Sequence, residues 1–287
     1  MRLGFHLSIG GGLLKAVEQG LRTGCECAQI FSRNPRSWQS KPLAHADARE
    51  FDQARRRAGL EPLAVHLPYL PNLASLDEEL YLKSWQSLAE EMSRADLLGA
   101  DYVVAHPGHA ARDQNRGPAL DRVAQAIELA LEKSPGTVTL LLETTSGQRG
   151  ELGENFGELA YLIGRVNQVP NRPPLGLCFD TAHIWAAGYD LSTSAGLEKT
   201  LAELDRTAGL SALHLIHLND SLVECGARRD RHSAVGLGRI GARNLARLVR
   251  HPQLAHLAGV METPRTSDAD DLANMRRAKK WRRSGIG

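Results

Sequence analysis

The chain predicts an α/β fold, a single closed (β/α)8 barrel of the TIM type, and three observations carry that prediction. Strand-like and helix-like segments alternate from end to end. Eight such pairs fit within 287 residues, where a typical barrel takes ~250. Six of the strand-like runs end in a side chain that can bind a metal, and a barrel gathers its strand ends on one catalytic face. An open doubly wound sheet would instead collect its functional groups at one switch point. No linker, repeat or low-complexity segment divides the sequence, so residues 1–287 read as one domain.

The strands are expected near 2–7, 27–31, 62–66, 101–106, 138–143, 175–180, 213–217 and 256–262. Between them, LLKAVEQGLRTG follows the first strand, SLDEELYLKSWQSLAEEMSRADLLG the third and ALDRVAQAIELALEK the fourth. NFGELAYLIGRV follows the fifth and AGLEKTLAELDRT the sixth. Their apolar residues recur at three- and four-residue spacing, which is the helical period. Gly24, Gly59 and Gly99 stand just before the next strand, where a helix C-cap belongs.

The strand ends carry the chemistry. EPLAVH ends at His66, DYVVAH at His106, TLLLE at Glu143, GLCFD at Asp180, ALHLIH at His217 and AGVME at Glu262. Desolvating such groups is costly unless something pairs with them. Three histidines and three carboxylates in one cluster are most simply stabilised by divalent cations. Beyond the strand ends, His183 follows Asp180 by three residues, one face of a first helical turn. Asp230 and His232 alternate around Arg231 in a polar loop, so both can point the same way. Nine ligands suffice for three metal sites. A lone buried histidine is more often a satisfied core residue; six coincident strand ends reverse that reading.

Mixed His and carboxylate ligands suit Zn²⁺, with Mn²⁺ or Fe²⁺ as alternatives. No cysteine stands among the candidates, which argues against a structural thiolate site. Cys25, Cys27, Cys178 and Cys225 read as packing or surface thiols in a reducing, cytoplasmic setting. Metals clustered about 3.5–4 Å apart are the usual apparatus of phosphodiester hydrolysis.

With 42% hydrophobic and 24% charged residues, the composition is that of a soluble globular protein. No stretch approaches the ~20 apolar residues of a membrane span, and MRLGFHLSIGGG lacks the apolar core of a signal peptide. The net charge of +2 hides a split. RRAKKWRR at 276–283 holds six of 35 basic residues, leaving 29 basic against 33 acidic, or −4, in the remainder. A body so mildly charged does not announce nucleic-acid binding by itself.

Across essentially its whole length the sequence resembles the endonuclease IV family, the metal-dependent apurinic/apyrimidinic endonucleases of base-excision DNA repair. The resemblance rests on VHLPYLPNLA (65–74), HPG (106–108), FDTAH with AAGYD (179–190), HLNDS (217–221) and DRH followed by GLGRIG (230–241). It implies a xylose-isomerase-like TIM barrel with three zinc ions, Mn²⁺ being an alternative at some sites. His66, His106 and Glu143 would hold the first ion, Glu143 would bridge to a second held by Asp180, His217 and Glu262, and His183, Asp230 and His232 would hold the third. A hydroxide between the first two would attack the phosphate 5′ to an abasic site, leaving a 3′-hydroxyl and a 5′-deoxyribose phosphate. Glu143 is the implied catalytic residue. The substrate would be double-stranded DNA containing abasic sites, handled by a monomer without membrane association. NPRSW and HLPYL match the loops that fill the gap left by a flipped nucleotide, pointing to Asn34, Arg36, Tyr69 and Leu70 as DNA contacts; an aromatic ring and an aliphatic wedge suit that task.

The sequence departs from the family at Leu222, where Lys is common, at Leu237, where the motif usually reads GEG, and at His109, where Ser is usual. The basic segment is read as a C-terminal tail at about 276–287. It either complements the dipole of the last helix or contacts DNA phosphates. Two rival functions share this sequence. A metal-dependent sugar isomerase or epimerase would not need the His183, Asp230 and His232 set. A non-cutting damaged-DNA-binding barrel would be expected to have lost a ligand, and none is lost.

Overall fold

A computed structural model describes residues 1–111, 114–134, 136–168, 173–265 and 267–283. Seven parallel strands, β1 (Arg2–Leu7), β2 (Cys27–Ile30), β3 (Leu63–His66), β4 (Tyr102–Ala105), β5 (Thr139–Glu143), β6 (Gly176–Asp180) and β7 (Leu213–His217), run in sequence order around a barrel. A short antiparallel pair follows, β8 (Asp220–Ser221) with β9 (His232–Ser233). The barrel then closes through β10 (Ala258–Met261), which pairs with both β7 and β1.

The connecting helices are α1 (Leu13–Thr23), α2 (His45–Arg57), α3 (Glu78–Leu97), α4 (Arg116–Lys133), α5 (Phe156–Val166), α6 (Thr181–Ala187), α7 (Ser194–Thr207), α8 (Ala242–Val249) and α9 (Asp268–Arg283). Capping follows the sequence. Asp77 accepts from the Leu80 amide at the start of α3, and Asn155 and Thr193 do the same for α5 and α7. Gly24, Gly59 and Gly99 adopt φ of 74°, 70° and 65° just beyond α1, α2 and α3. That left-handed geometry lets the chain turn into the next strand without a Cβ penalty.

Side chains alternate across each strand with period two. One set packs outward against the helices. The inward set includes Cys27, Ala64, Val104, Leu141, Cys178, Leu215, Ala258 and Val260, a small apolar plug within the barrel. The plug leaves no room for a side chain at residue 4, where a Cβ would meet the Cys27 carbonyl oxygen at 1.9 Å. Two residues beyond this layer, on the same parity, the composition switches from apolar to polar. The strand-end cluster is therefore the next storey of the barrel interior.

The structure revises the reading of the C-terminus. RRAKKWRR forms the last turns of α9, with Ala278 and Trp281 buried, up to residue 283. Residues 284–287 of the expected tail lie outside the described residues. Along the same helix Met275 is also buried, whereas Leu272 is exposed. No described helix is long and apolar enough to cross a membrane.

Candidate metal centre

Glu143 is the hub. It ends β5 fully buried, and its two oxygens face different partners. Oε2 lies 3.1 Å from Nε2 of both His66 and His106. Oε1 lies 2.9 Å from His217 Nδ1 and 3.2 Å from His183 Nδ1. Burial alone would raise the pKa of Glu143, but His217 and His106 hold it well below the ordinary value.

Asp180 works at both ends of its carboxylate. Oδ1 caps α6, accepting from the amides of Ala182 and His183 at 2.7 and 2.8 Å. Oδ2 accepts from Asn219 Nδ2 at 2.6 Å and faces His217 Nδ1 at 3.7 Å and His232 Nε2 at 3.8 Å. The cap explains why His183 shares a face with Asp180, as its spacing predicts.

The β8–β9 pair delivers the remaining residues. Ser221 pairs with His232, and the Leu222 amide donates to the Arg231 carbonyl at 2.9 Å. Asp230 turns back from this hairpin with Oδ1 3.1 Å from His232 Nε2 and Oδ2 3.4 Å from His183 Nε2. Asp220, which sequence reading passed over, holds the neighbouring loop. Its carboxylate accepts from the amides of Gly238, Ile240 and Gly241, and a Cβ at 238 would meet the Ser221 carbonyl oxygen at 2.4 Å. This contact joins the HLNDS and GLGRIG motifs across the intervening loop. Leu222 and Leu237 are exposed at its surface.

Three ligand sets emerge, with candidate donor atoms within 4.8 Å of one another: His66, His106 and Glu143; Glu143, Asp180, His217 and Glu262; and Asp180, His183 and His232. Asp180 thus joins His183 and His232 in addition to its expected place, while Asp230 spans the same two imidazoles from the half-exposed side. The described residues fit cations on two counts. His66, His183 and His232 each donate from Nδ1 to a backbone carbonyl, of Leu67, Thr144 and Glu262, at 2.7, 2.9 and 3.1 Å. That fixes their tautomers and leaves Nε2 as the ligand atom. In addition, His232 Nε2 is buried without a hydrogen-bond partner, although two carboxylates lie near it. A ring nitrogen set among carboxylate oxygens calls for a positive charge between them, a proton in the free protein or a metal ion in its place.

A cleft of about 260 Å³ opens over this centre, lined by His66, His106, Tyr69, His109 and Asp230 among others. Tyr69 is exposed at its rim. It stacks edge-on to Phe31 at 5.2 Å, and its amide donates to the Pro35 carbonyl, tying the two expected DNA loops together. Asn34 and Arg36 are exposed on the first loop, where the Arg36 amide donates to Asn34 Oδ1 at 3.0 Å; Leu70 is half-buried on the second. His109 is outside the three ligand sets. Asn72 holds it, accepting from its amide at 2.9 Å and donating to its carbonyl at 3.1 Å.

Two residues of the inward polar layer escaped sequence reading: His6 on β1 and Gln29 on β2. With them, all eight barrel strands contribute one group to this storey. The signal was parity, since each lies on its strand's inward set, two residues beyond Gly4 and Cys27.

The barrel and its strand-end cluster define a xylose isomerase-like TIM barrel, and the family of that description matches residues 17–284. Among curated relatives, the probable endonuclease 4 of Methanosphaerula palustris is 42% identical, covering 98% of each chain. That of Methanoculleus marisnigri is 41% identical over 96% of this chain and 97% of its own. The crystal structure of endonuclease IV from Thermus thermophilus superposes with a TM-score of 0.86 at 36% identity, covering 98% of both chains. A D-tagatose 3-epimerase-like protein, with a TM-score of 0.72 at 19% identity and coverage of 98% and 97%, shares the fold alone. The chain belongs to the endonuclease IV family and is an apurinic/apyrimidinic endonuclease of that type.

Proposed function

We propose that this enzyme cuts the phosphodiester 5′ to an abasic site in duplex DNA, using three divalent cations held by His66, His106, Glu143, Asp180, His183, His217, Asp230, His232 and Glu262. The products are a 3′-hydroxyl and a 5′-deoxyribose phosphate, residues 1–287 act as one monomeric endonuclease unit, and Zn²⁺ is the principal metal. The observation that carries the reading is Glu143, whose two oxygens face two separate histidine sets across a fully buried centre.

When bound, such cations stabilise charge on the phosphate oxygens and make hydroxide available at neutral pH. The protein's own part is positional. Backbone carbonyls hold three histidines in the ligating tautomer, and the Asp180 cap fixes His183 beside it. Tyr69 and Leu70, with Arg36 and Asn34 on the adjoining loop, would occupy the gap left by the flipped nucleotide. The rim ring of Tyr69 supports that role, because stacking lost in the duplex can be replaced there.

Metal analysis of the purified protein, with an incision assay on a duplex carrying one abasic analogue, tests the reading. Near three metals per chain and chelator-sensitive 5′ incision are expected. One or two metals with no DNA cleavage would favour a sugar isomerase or epimerase, and activity indifferent to exhaustive metal removal would overturn the metal-centre reading.

A further inference from the structure

Gln29 is fully buried in the barrel interior and contacts two ligand candidates through one amide. Its Oε1 accepts from His217 Nε2 at 2.9 Å. Its Nε2 donates to Glu262 Oε1 at 2.8 Å, and His6 Nδ1 lies 3.0 Å from both of those atoms. An ionised carboxylate only accepts, so Glu262 determines which end of the amide is NH₂. The remaining end is then an oxygen, and it requires a proton on His217 Nε2. In the neutral, metal-binding imidazole that leaves Nδ1 as the lone-pair nitrogen, and Nδ1 is the atom facing Glu143 Oε1 at 2.9 Å and Glu262 Oε2 at 3.3 Å. His217 is thus fixed in the opposite tautomer to His66, His183 and His232, which ligate through Nε2.

We propose that Gln29 is a positioning residue for the second cation: its amide couples the orientation of Glu262 to the tautomer of His217, and His6 steadies that amide. The inference rests on the metal-centre reading and deepens it. Gln29 is fully buried, so its position gives it no access to a DNA backbone at the surface. It acts through the two ligands, as supports behind metal-bound histidines do, and loss of such supports typically costs about 10- to 100-fold in metal affinity or activity.

Gln29→Met keeps the side-chain length and removes both hydrogen bonds. In the zinc-loaded protein, the variant should release one zinc per chain to a competing chelator at about 10- to 100-fold lower chelator activity than wild type. Its kcat should fall with little change in KM, because the DNA-facing loops are untouched. A folded Gln29→Met protein that retains all its zinc as tightly as wild type, with unchanged kcat, would overturn the inference. A second measurement needs no stable variant at position 29. In ¹⁵N-histidine-labelled, zinc-loaded wild type, with His217 assigned from a His217→Gln control, the His217 ring should carry its proton on Nε2 and its metal on Nδ1. The reverse assignment would overturn the inference even if Gln29→Met failed to fold. Wild-type protein that binds no zinc would sink the metal-centre reading itself, which distinguishes the two failures.

Discussion

Glu143 has no solvent with which to share its charge. It is compensated by imidazoles on both sides, and the same is true in reverse for the histidines. Burial would lower the pKa of His183, yet Asp180, Asp230 and Glu143 raise it well above the ordinary value. Replacing Glu143 by Gln keeps the shape and removes the charge that the two histidine sets share. Incision should drop by more than ~100-fold, beyond the range typical of groups that merely support a ligand, with the barrel still folded by circular dichroism. Activity within a few-fold of wild type would exclude a bridging role. A pH effect follows from His232. Burial opposes its charge, but Asp180 and Asp230 push its pKa up to about 9 from an ordinary 6.5. A raised folded-state pKa contributes stability that is complete below the unfolded value and lost as pH climbs through the folded one. The chelated protein should therefore melt lower as pH rises from 6.5 to 9. Cation binding needs the deprotonated imidazoles, so it releases protons and strengthens with pH. The gain in Tm on adding zinc should grow across the same window. A chelated protein that becomes more stable over that range would contradict this account.

At the scale of elements, the loop after β2 and the loop after β3 meet over the centre through the Tyr69–Pro35 backbone contact. They share no ligand with it. Alanine at Arg36, Tyr69 and Leu70 together should weaken binding to abasic duplex while bound metal stays at the wild-type count. Each lost stacking contact is worth about 1–3 kcal/mol in single-strand binders, so a loss of tenfold or more is expected in a gel-shift titration. Unchanged affinity would reject the assignment. The strand ends that these loops overhang were legible in the sequence because six apolar runs stop where the inward layer turns polar. His6 and Gln29 belong to that layer but were hidden, since their runs continue outward through Leu7 and through Ile30 and Phe31. Parity along the strand finds them; run length does not. Asp220 was illegible for another reason. Its carboxylate serves amides 18 to 21 residues downstream, a closure that no local pattern announces. Asp230 and His232 were legible as a pair, but that Asp180 also reaches His232 depends on the geometry of the α6 cap.

Across the whole molecule, the polar storey and the basic end of α9 sit at opposite ends of the barrel. The return helix runs antiparallel to the strands, so its C-terminal turns reach the strand starts. Lys279 donates to the Gly24 carbonyl at 2.6 Å and Arg282 to the Met1 carbonyl at 3.0 Å. Arg282 also pairs with Glu26, whose carboxyl is drawn down to about 2 chiefly by that guanidinium. Two of the six basic residues thus fasten the helix to the entrance of β1 and β2, as cations near a helix C-terminus favour. The groove of about 480 Å³ between α1 and α9 is lined by Arg276, Lys279, Lys280 and Arg283, and none of the candidate ligands lines it. Deleting 276–287 would remove buried Trp281 and measure folding rather than binding. Neutral substitution is the informative change. Arg276→Gln, Lys280→Gln and Arg283→Gln combined should leave abasic-DNA affinity and its salt dependence at wild-type values, because a duplex lying on the strand-end face cannot reach these side chains. Arg282→Gln should instead lower stability by about 1 kcal/mol, the scale of a partly exposed ion pair, without altering DNA binding. If the triple variant flattens the log–log salt slope by about 0.9 per contact removed, the basic end of α9 is a phosphate-binding surface, and the duplex follows a longer path around the barrel than the metal face defines.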